Sequence, residues 1–90
     1  MQGATTRMTQ YDLHETAAMV KGIIAEILNL DAATISSQAT FEMLGADSLD
    51  MMQIIMKIED LFGIEISDDV ASQIKTVEEA VEAIQKYRTK

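Results

Sequence analysis

The sequence predicts an all-α fold, a small four-helix bundle of three main helices and a short third helix, with a long first loop. Three observations carry this. Apolar residues recur at three–four spacing in separate segments, which is the signature of helices buried on one side. There is no proline and there are only four glycines, a composition that favours helices over a turn-rich β fold. The chain has 90 residues, 48% of them hydrophobic but 4% aromatic. One core built from Ile, Leu, Val, Met and Ala is therefore expected.

Each element has its own signal. Val20, Ile23, Ile24, Ile27 and Leu28 follow the i, i+3, i+4, i+7, i+8 stripe, and Leu13 and Ala17 extend it backwards. The first helix is placed at 12–28, with Gly22 inside it costing about 0.5–1 kcal/mol relative to Ala. Residues 29–45 then form a connection longer than the ~12–15 residues usual in compact domains. Ile35, Phe41 and Leu44 are expected to pin it to the bundle, and its length lets the next helix run roughly parallel to the first.

The second helix starts at Asp47 or Ser48 and runs to Phe62, burying Ile54, Ile55, Ile58, Leu61 and Phe62. Gly63 suits a left-handed C-terminal cap. After the connector Ile64-Glu65-Ile66, any of Ser67, Asp68 or Asp69 can cap a short helix to about Ser72, with Val70 and Ile74 inward. Thr76 and Glu79 have the spacing of a capping box. The last helix buries Val77, Ala80, Val81 and Ile84, and Lys86, Arg88 and Lys90 fall where the helix dipole favours cations. One domain is expected over 12–88, after a polar tail at 1–11 in which Met8 offers an alternative start.

Composition excludes several function classes. The chain has no cysteine, so it has no disulfide, thiolate metal site or cysteine nucleophile. If it handles thioesters, the sulfur must come from an attached group. His14 is the only histidine, which argues against a histidine metal cluster or a serine–histidine dyad; it reads as a surface residue at a helix start. No stretch approaches the ~18–20 apolar residues of a membrane span, and the N-terminus lacks the apolar core of a secretory signal. A cytoplasmic or organelle-matrix location is the default expectation.

The net charge of −8 argues against nucleic acid and anionic membranes as partners. Between Glu42 and Asp69 lie eight acids and one base, Lys57, so this segment holds nearly all of the imbalance. No stretch has the alternating oxygen ligands and central glycine of a calcium-binding loop.

Within the acidic segment, "LGADSLD" opens the second helix. Ser48 there admits two readings. Asp47 or Ser48 can be an ordinary N-cap, worth about 1 kcal/mol. Alternatively Ser48 is a phosphoryl acceptor, accessible in the first helical turn, where free amides and the positive end of the dipole favour an anion. Asp47 and Asp50 oppose such an anion, so on this reading they attract a basic partner.

"LGADSLD" followed by an apolar helix, then "DLFGIEISDD" and "KTVEEAVEAI", resembles the acyl carrier proteins over roughly Val20 to Ile84. The resemblance implies a non-catalytic protein whose Ser48 is esterified by 4'-phosphopantetheine taken from coenzyme A. The arm's thiol then carries acyl groups as thioesters, which supplies the sulfur that the chain lacks. Asp47, Asp50, Glu59 and Asp60 match the family's docking surface for basic patches.

Met52 and Met56 match exposed apolar docking positions, although as plain gap-filling core residues they are equally ordinary. The resemblance puts Met51 at the mouth of an acyl pocket lined by Ile55, Ile58, Ile66, Ala71 and Ile74, between the second and third helices. An acyl chain gains up to ~0.8 kcal/mol per methylene buried there. The implied partners of this monomeric carrier are a phosphopantetheinyl transferase, ketosynthases, acyltransferases and other acyl-processing enzymes with basic docking surfaces.

Four positions depart from the fatty-acyl pattern: Gln53 stands where an acid is usual, and Lys57 places a positive charge on the docking face. Ser67 replaces a frequent proline, and Ser72 a common acid. Fatty-acid biosynthesis is the default expectation, and a dedicated carrier of a polyketide or other specialised pathway is the alternative. Peptidyl carriers resemble the motif less closely. A third reading, from another class, is an unmodified helical interaction or structural module.

Overall fold

The computed structural model describes residues 13–88, with side chains through Tyr87. Four α-helices follow in order, with a single 3-10 turn between the first two. Helix α1 is Leu13–Leu28, α2 is Ser48–Phe62, α3 is Asp68–Gln73 and α4 is Val77–Arg88, and the 3-10 turn is Ala32–Thr34. The helix content and order are those expected; the 3-10 turn, capped by Asp31 through the Ala33 amide, was not. The expected tail at 1–11, Asp12 at the helix start, Lys90 and the side chain of Arg88 lie outside the described residues.

Helix α1 packs on both α2 and α4. The core joins Val20, Ile23 and Ile24 of α1, Ile54 and Ile58 of α2, and Val77, Ala80, Val81 and Ile84 of α4. Two residues of the first loop, Ile35 and Phe41, are buried with them, and Leu44 is partly so. These are the three pins expected from sequence. The one buried polar side chain among the described residues is Thr16, whose hydroxyl donates to Gln85 Oε1 at 2.6 Å and links α1 to α4. Burial of a hydroxyl is tolerated because it is hydrogen-bonded.

Helix ends follow their local chemistry. Asn29 takes a left-handed φ of 60°, and Leu30 N–H returns to Ala25 O at 2.9 Å, closing α1 with a Schellman-type cap. Gly63, at φ 67°, closes α2 in the same way, and Ile64 N–H reaches Glu59 O at 3.2 Å. The Thr76–Glu79 capping box is formed: Glu79 N–H donates to Thr76 Oγ1, and Glu79 Oε1 accepts from Thr76 N–H, each at 3.1 Å. That carboxylate also accepts from Lys75 N–H at 2.7 Å.

Two residues of the expected apolar stripes are exposed. Leu61 is 52% exposed and Leu13 is 54% exposed. On α2 the buried stripe is Ile54 and Ile58, with Met51, Ile55 and Phe62 partly buried on one flank; Leu61 lies on the other flank. Leu13 is the first residue of α1, one turn beyond Thr16 and Ala17. Helix α3 has no fully buried residue of its own. It is anchored by Ile66 before it and Ile74 after it, both 7% exposed.

Candidate functional site

The start of α2 is built by two aspartates. Asp47 is the N-cap, and its Oδ1 accepts from the Asp50 amide at 2.8 Å. In return Asp50 Oδ2 accepts from the Asp47 amide at 3.1 Å. This is a capping box made of two acids. Of the two residues proposed as N-cap, Asp47 holds the position and Ser48 does not. The acids around Ser48 are therefore helix-end residues first, whatever else they do.

Ser48 is the first residue of α2 and is exposed. Among the described residues its hydroxyl makes no hydrogen bond, because the caps are the flanking carboxylates. A helix start leaves four amides without intrahelical partners. The aspartates satisfy their own two, which leaves those of Ser48 and Leu49. A free hydroxyl beside two free amides at the positive end of a helix is suited to a phosphodiester.

A cleft of about 630 Å³ opens beside Ser48. One wall is the first loop, with Thr40, Phe41 and Glu42, and the floor is Ala46, Asp47, Ser48 and Met51. Ala71, Ser72, Ile74 and Lys75 complete the lining. Backbone hydrogen bonds join the walls: Phe41 N–H donates to Lys75 O at 3.0 Å, and Val77 N–H to Ala39 O at 3.1 Å. Thr40 and Thr76 form an antiparallel bridge there. Gly45, at φ 88°, turns the loop into α2; Cβ-bearing residues are strained at that angle.

The residues suggested for an acyl pocket are divided by the structure. Met51, Ala71 and Ile74 line the cleft with Ser48. Ile58, at 0% exposure, and Ile66, at 7%, belong to the core, and Ile55 is partly buried against it. None of these three lines the open cleft. A second cleft of similar size lies between α3 and α4, where Val70, Gln73, Glu82 and Tyr87 are among its walls.

The outer face of α2 carries the expected docking residues. Met52 is 60% exposed and Met56 59%, so neither is a core residue. Asp47 and Asp60 are exposed, and Asp50 and Glu59 are partly buried. Glu59 has a structural task, since its Oε2 accepts from Ile66 N–H at 2.8 Å and holds the connector to α3. Gln53 and Lys57 lie on the exposed face among the methionines.

Sequence reasoning missed Leu49 and Met43, which are 62% and 77% exposed. Leu49 had a signal: it precedes Met52 by three and Met56 by seven, so the three share a helix face. Thr40, Phe41, Ala46 and Lys75 as cleft walls had none. Among the described residues no group of three or more acids or histidines is placed to hold a metal ion. No helix among them is long and apolar enough to cross a membrane.

Residues 19–84 match the family model described as the phosphopantetheine attachment site. The chain is 48% identical over 73 residues to the acyl carrier protein of Solidesulfovibrio magneticus, covering 80% of this chain and 94% of that one. It is 40% identical over 79 residues to the acyl carrier protein of Rubrobacter xylanophilus, covering 87% and 98%. The fold is similar to the solved acyl carrier protein of Thermotoga maritima, with a TM-score of 0.74, 29% identity, and coverage of 83% of this chain and 88% of that one. It is also similar to that of Enterococcus faecalis, with a TM-score of 0.72, 33% identity, and coverage of 86% and 99%.

Proposed function

The chain belongs to the acyl carrier protein family, and from that premise we propose that Ser48 bears the 4'-phosphopantetheine and that the acyl groups carried are those of fatty-acid biosynthesis. The protein is a carrier and not an enzyme. The arm supplies a thiol for thioester exchange, which no residue of this cysteine-free chain provides.

One observation carries the choice of Ser48: its hydroxyl is exposed and unbonded among the described residues while Asp47 and Asp50 cap the helix around it. On attachment the serine oxygen bonds to the phosphorus bearing the pantetheine. The pyrophosphate bond of coenzyme A breaks, and the remaining nucleotide leaves. The adjoining cleft, with apolar Phe41, Met51, Ala71 and Ile74 and polar Thr40 and Ser72, suits an arm that is itself partly amide and partly hydrocarbon.

The docking surface on this reading is Met52, Met56 and Asp60, with Asp47, Asp50 and Glu59 adding charge beside their helix-end tasks. Its partners are a phosphopantetheinyl transferase, then ketosynthases and acyltransferases with basic surfaces. The chain acts as a cytoplasmic monomer. A second reading, a carrier dedicated to a polyketide or other specialised pathway, is favoured by Gln53 and Lys57, which lower the negative charge of that same exposed face.

The test is intact mass after incubation with coenzyme A and a phosphopantetheinyl transferase. One added phosphopantetheine is expected, and none on Ser48→Ala. An unchanged mass under conditions that modify a control carrier overturns the assignment and leaves an unmodified interaction module. Elongation of the loaded protein by fatty-acid and polyketide ketosynthases, side by side, separates the two pathways.

A further inference from the structure

Lys75 lines the same cleft as Ser48, at the turn between α3 and α4. Its backbone is held at both ends: the amide donates to Glu79 Oε1 at 2.7 Å, and the carbonyl accepts from Phe41 N–H at 3.0 Å. Its side chain is exposed and makes no ion pair among the described residues. It is the only base among the residues lining the cleft, which also include the acids Glu42 and Asp47. The position is thus rigid, basic and uncommitted.

A phosphodiester on Ser48 adds a negative charge to a helix start that already holds Asp47 and Asp50. Left to those neighbours, the arm is pushed outward into solvent. An ammonium lining the same cleft opposes that bias along one direction, the direction of the cleft. Resting on the attachment of the arm to Ser48, we propose that Lys75 is a positioning residue for the arm. Its ammonium draws the phosphodiester towards α3 and lays the pantetheine over Met51, Ala71 and Ile74.

The attraction is that of an exposed pair, so it sets a preference and does not lock the arm. Pairs of this kind shift an equilibrium about two- to fivefold and weaken with salt. That scale suits a carrier whose arm must leave the cleft for each enzyme.

The test uses isotope-labelled apo and phosphopantetheinylated protein, with loading at Ser48 verified by mass. Loading is expected to shift the amide resonances of Met51, Ala71, Ser72 and Ile74, and the Lys75 ammonium resonance, in addition to the neighbours of Ser48. In Lys75→Gln the shifts on α3 fall about two- to fivefold, while Lys75→Arg retains them and the apo spectra of all three agree away from position 75. Added salt reduces the shifts in the parent and not in Lys75→Gln. Shifts confined to residues 47–50 in the parent, or equal in the parent and Lys75→Gln, overturn the proposal while leaving the attachment intact. A chain that takes up no arm at Ser48 overturns both.

Discussion

Asp47 and Asp50 cap one helical turn reciprocally, each carboxylate accepting the other's amide, at 2.8 and 3.1 Å. Ser48 sits between them with its hydroxyl outside the exchange. In the usual capping box a serine or threonine fills the N-cap; here aspartate does so, which separates helix initiation from the chemistry of the adjacent hydroxyl. The same two acids serve stability through one oxygen each.

That separation predicts opposite behaviour for neighbouring substitutions. Ser48→Ala removes the proposed modification site and is expected to leave unfolding free energy within about 0.5 kcal/mol of the parent, as for other featureless surface changes. Asp47→Ala loses the N-cap and is expected to cost about 1–2 kcal/mol. In a domain of this size 1 kcal/mol corresponds to a Tm shift of about 4–8 °C. Urea and thermal unfolding of the two apo variants measure this. A Ser48→Ala variant as unstable as Asp47→Ala contradicts the assignment of the cap.

Glu59 allows docking to be told from scaffolding. Its Oε2 accepts from Ile66 N–H at 2.8 Å, and its carbonyl oxygen accepts from Gly63 and Ile64. Glu59→Ala is expected to speed hydrogen exchange at Ile66 and to cost about 1.5 kcal/mol, the low end for one hydrogen bond to a charged acceptor. Asp60→Ala, one residue on and exposed, is expected to change neither. Effects of Glu59 substitutions on enzyme partners are then read through the α2–α3 connector as well as through charge.

The helices, the Thr76–Glu79 box, the Gly63 cap and most of the core were legible because each is local: a period, a cap, a glycine. Leu61 was misplaced because periodicity allows a stripe to widen on either flank, and only packing chose Met51, Ile55 and Phe62 over it. Met52 and Met56 were ambiguous for the reason that makes methionine useful, an adaptable side chain at home inside or out. The cleft was illegible. Phe41 and Lys75 come to line one cleft with Ser48 because loop and turn exchange backbone bonds between residues 37–41 and 75–78, and nothing in either segment announces that pairing.

Thr16 tests how α1 is fixed against α4. It is fully buried and donates to Gln85 Oε1 at 2.6 Å. Thr16→Val keeps the shape but removes the donor, and is expected to destabilise by about 1–2 kcal/mol because the hydrogen bond to the Gln85 amide oxygen is lost. Adding Gln85→Leu is expected to recover part of that loss, since the two residues are hydrogen-bonded to each other and their effects do not add. Full additivity in the double-mutant cycle contradicts the coupling.

Lys57 is the exposed base among Leu49, Met52 and Met56 on the outer face of α2, and it sets a prediction on partner choice. Against a phosphopantetheinyl transferase with a basic docking surface, Lys57→Glu is expected to raise kcat/KM a few-fold at low ionic strength, acting on encounter rather than on chemistry. At 1 M salt, where the Debye length is about 3 Å, the gain is expected to vanish. Met56→Ala is expected to lower kcat/KM at both salt concentrations, since apolar contact is not screened, and to leave stability nearly unchanged because the side chain is 59% exposed. A partner evolved for this chain behaves in the opposite sense: an acid matched to Lys57 makes Lys57→Glu slower, and the sign of that one substitution separates a general basic partner from a dedicated one.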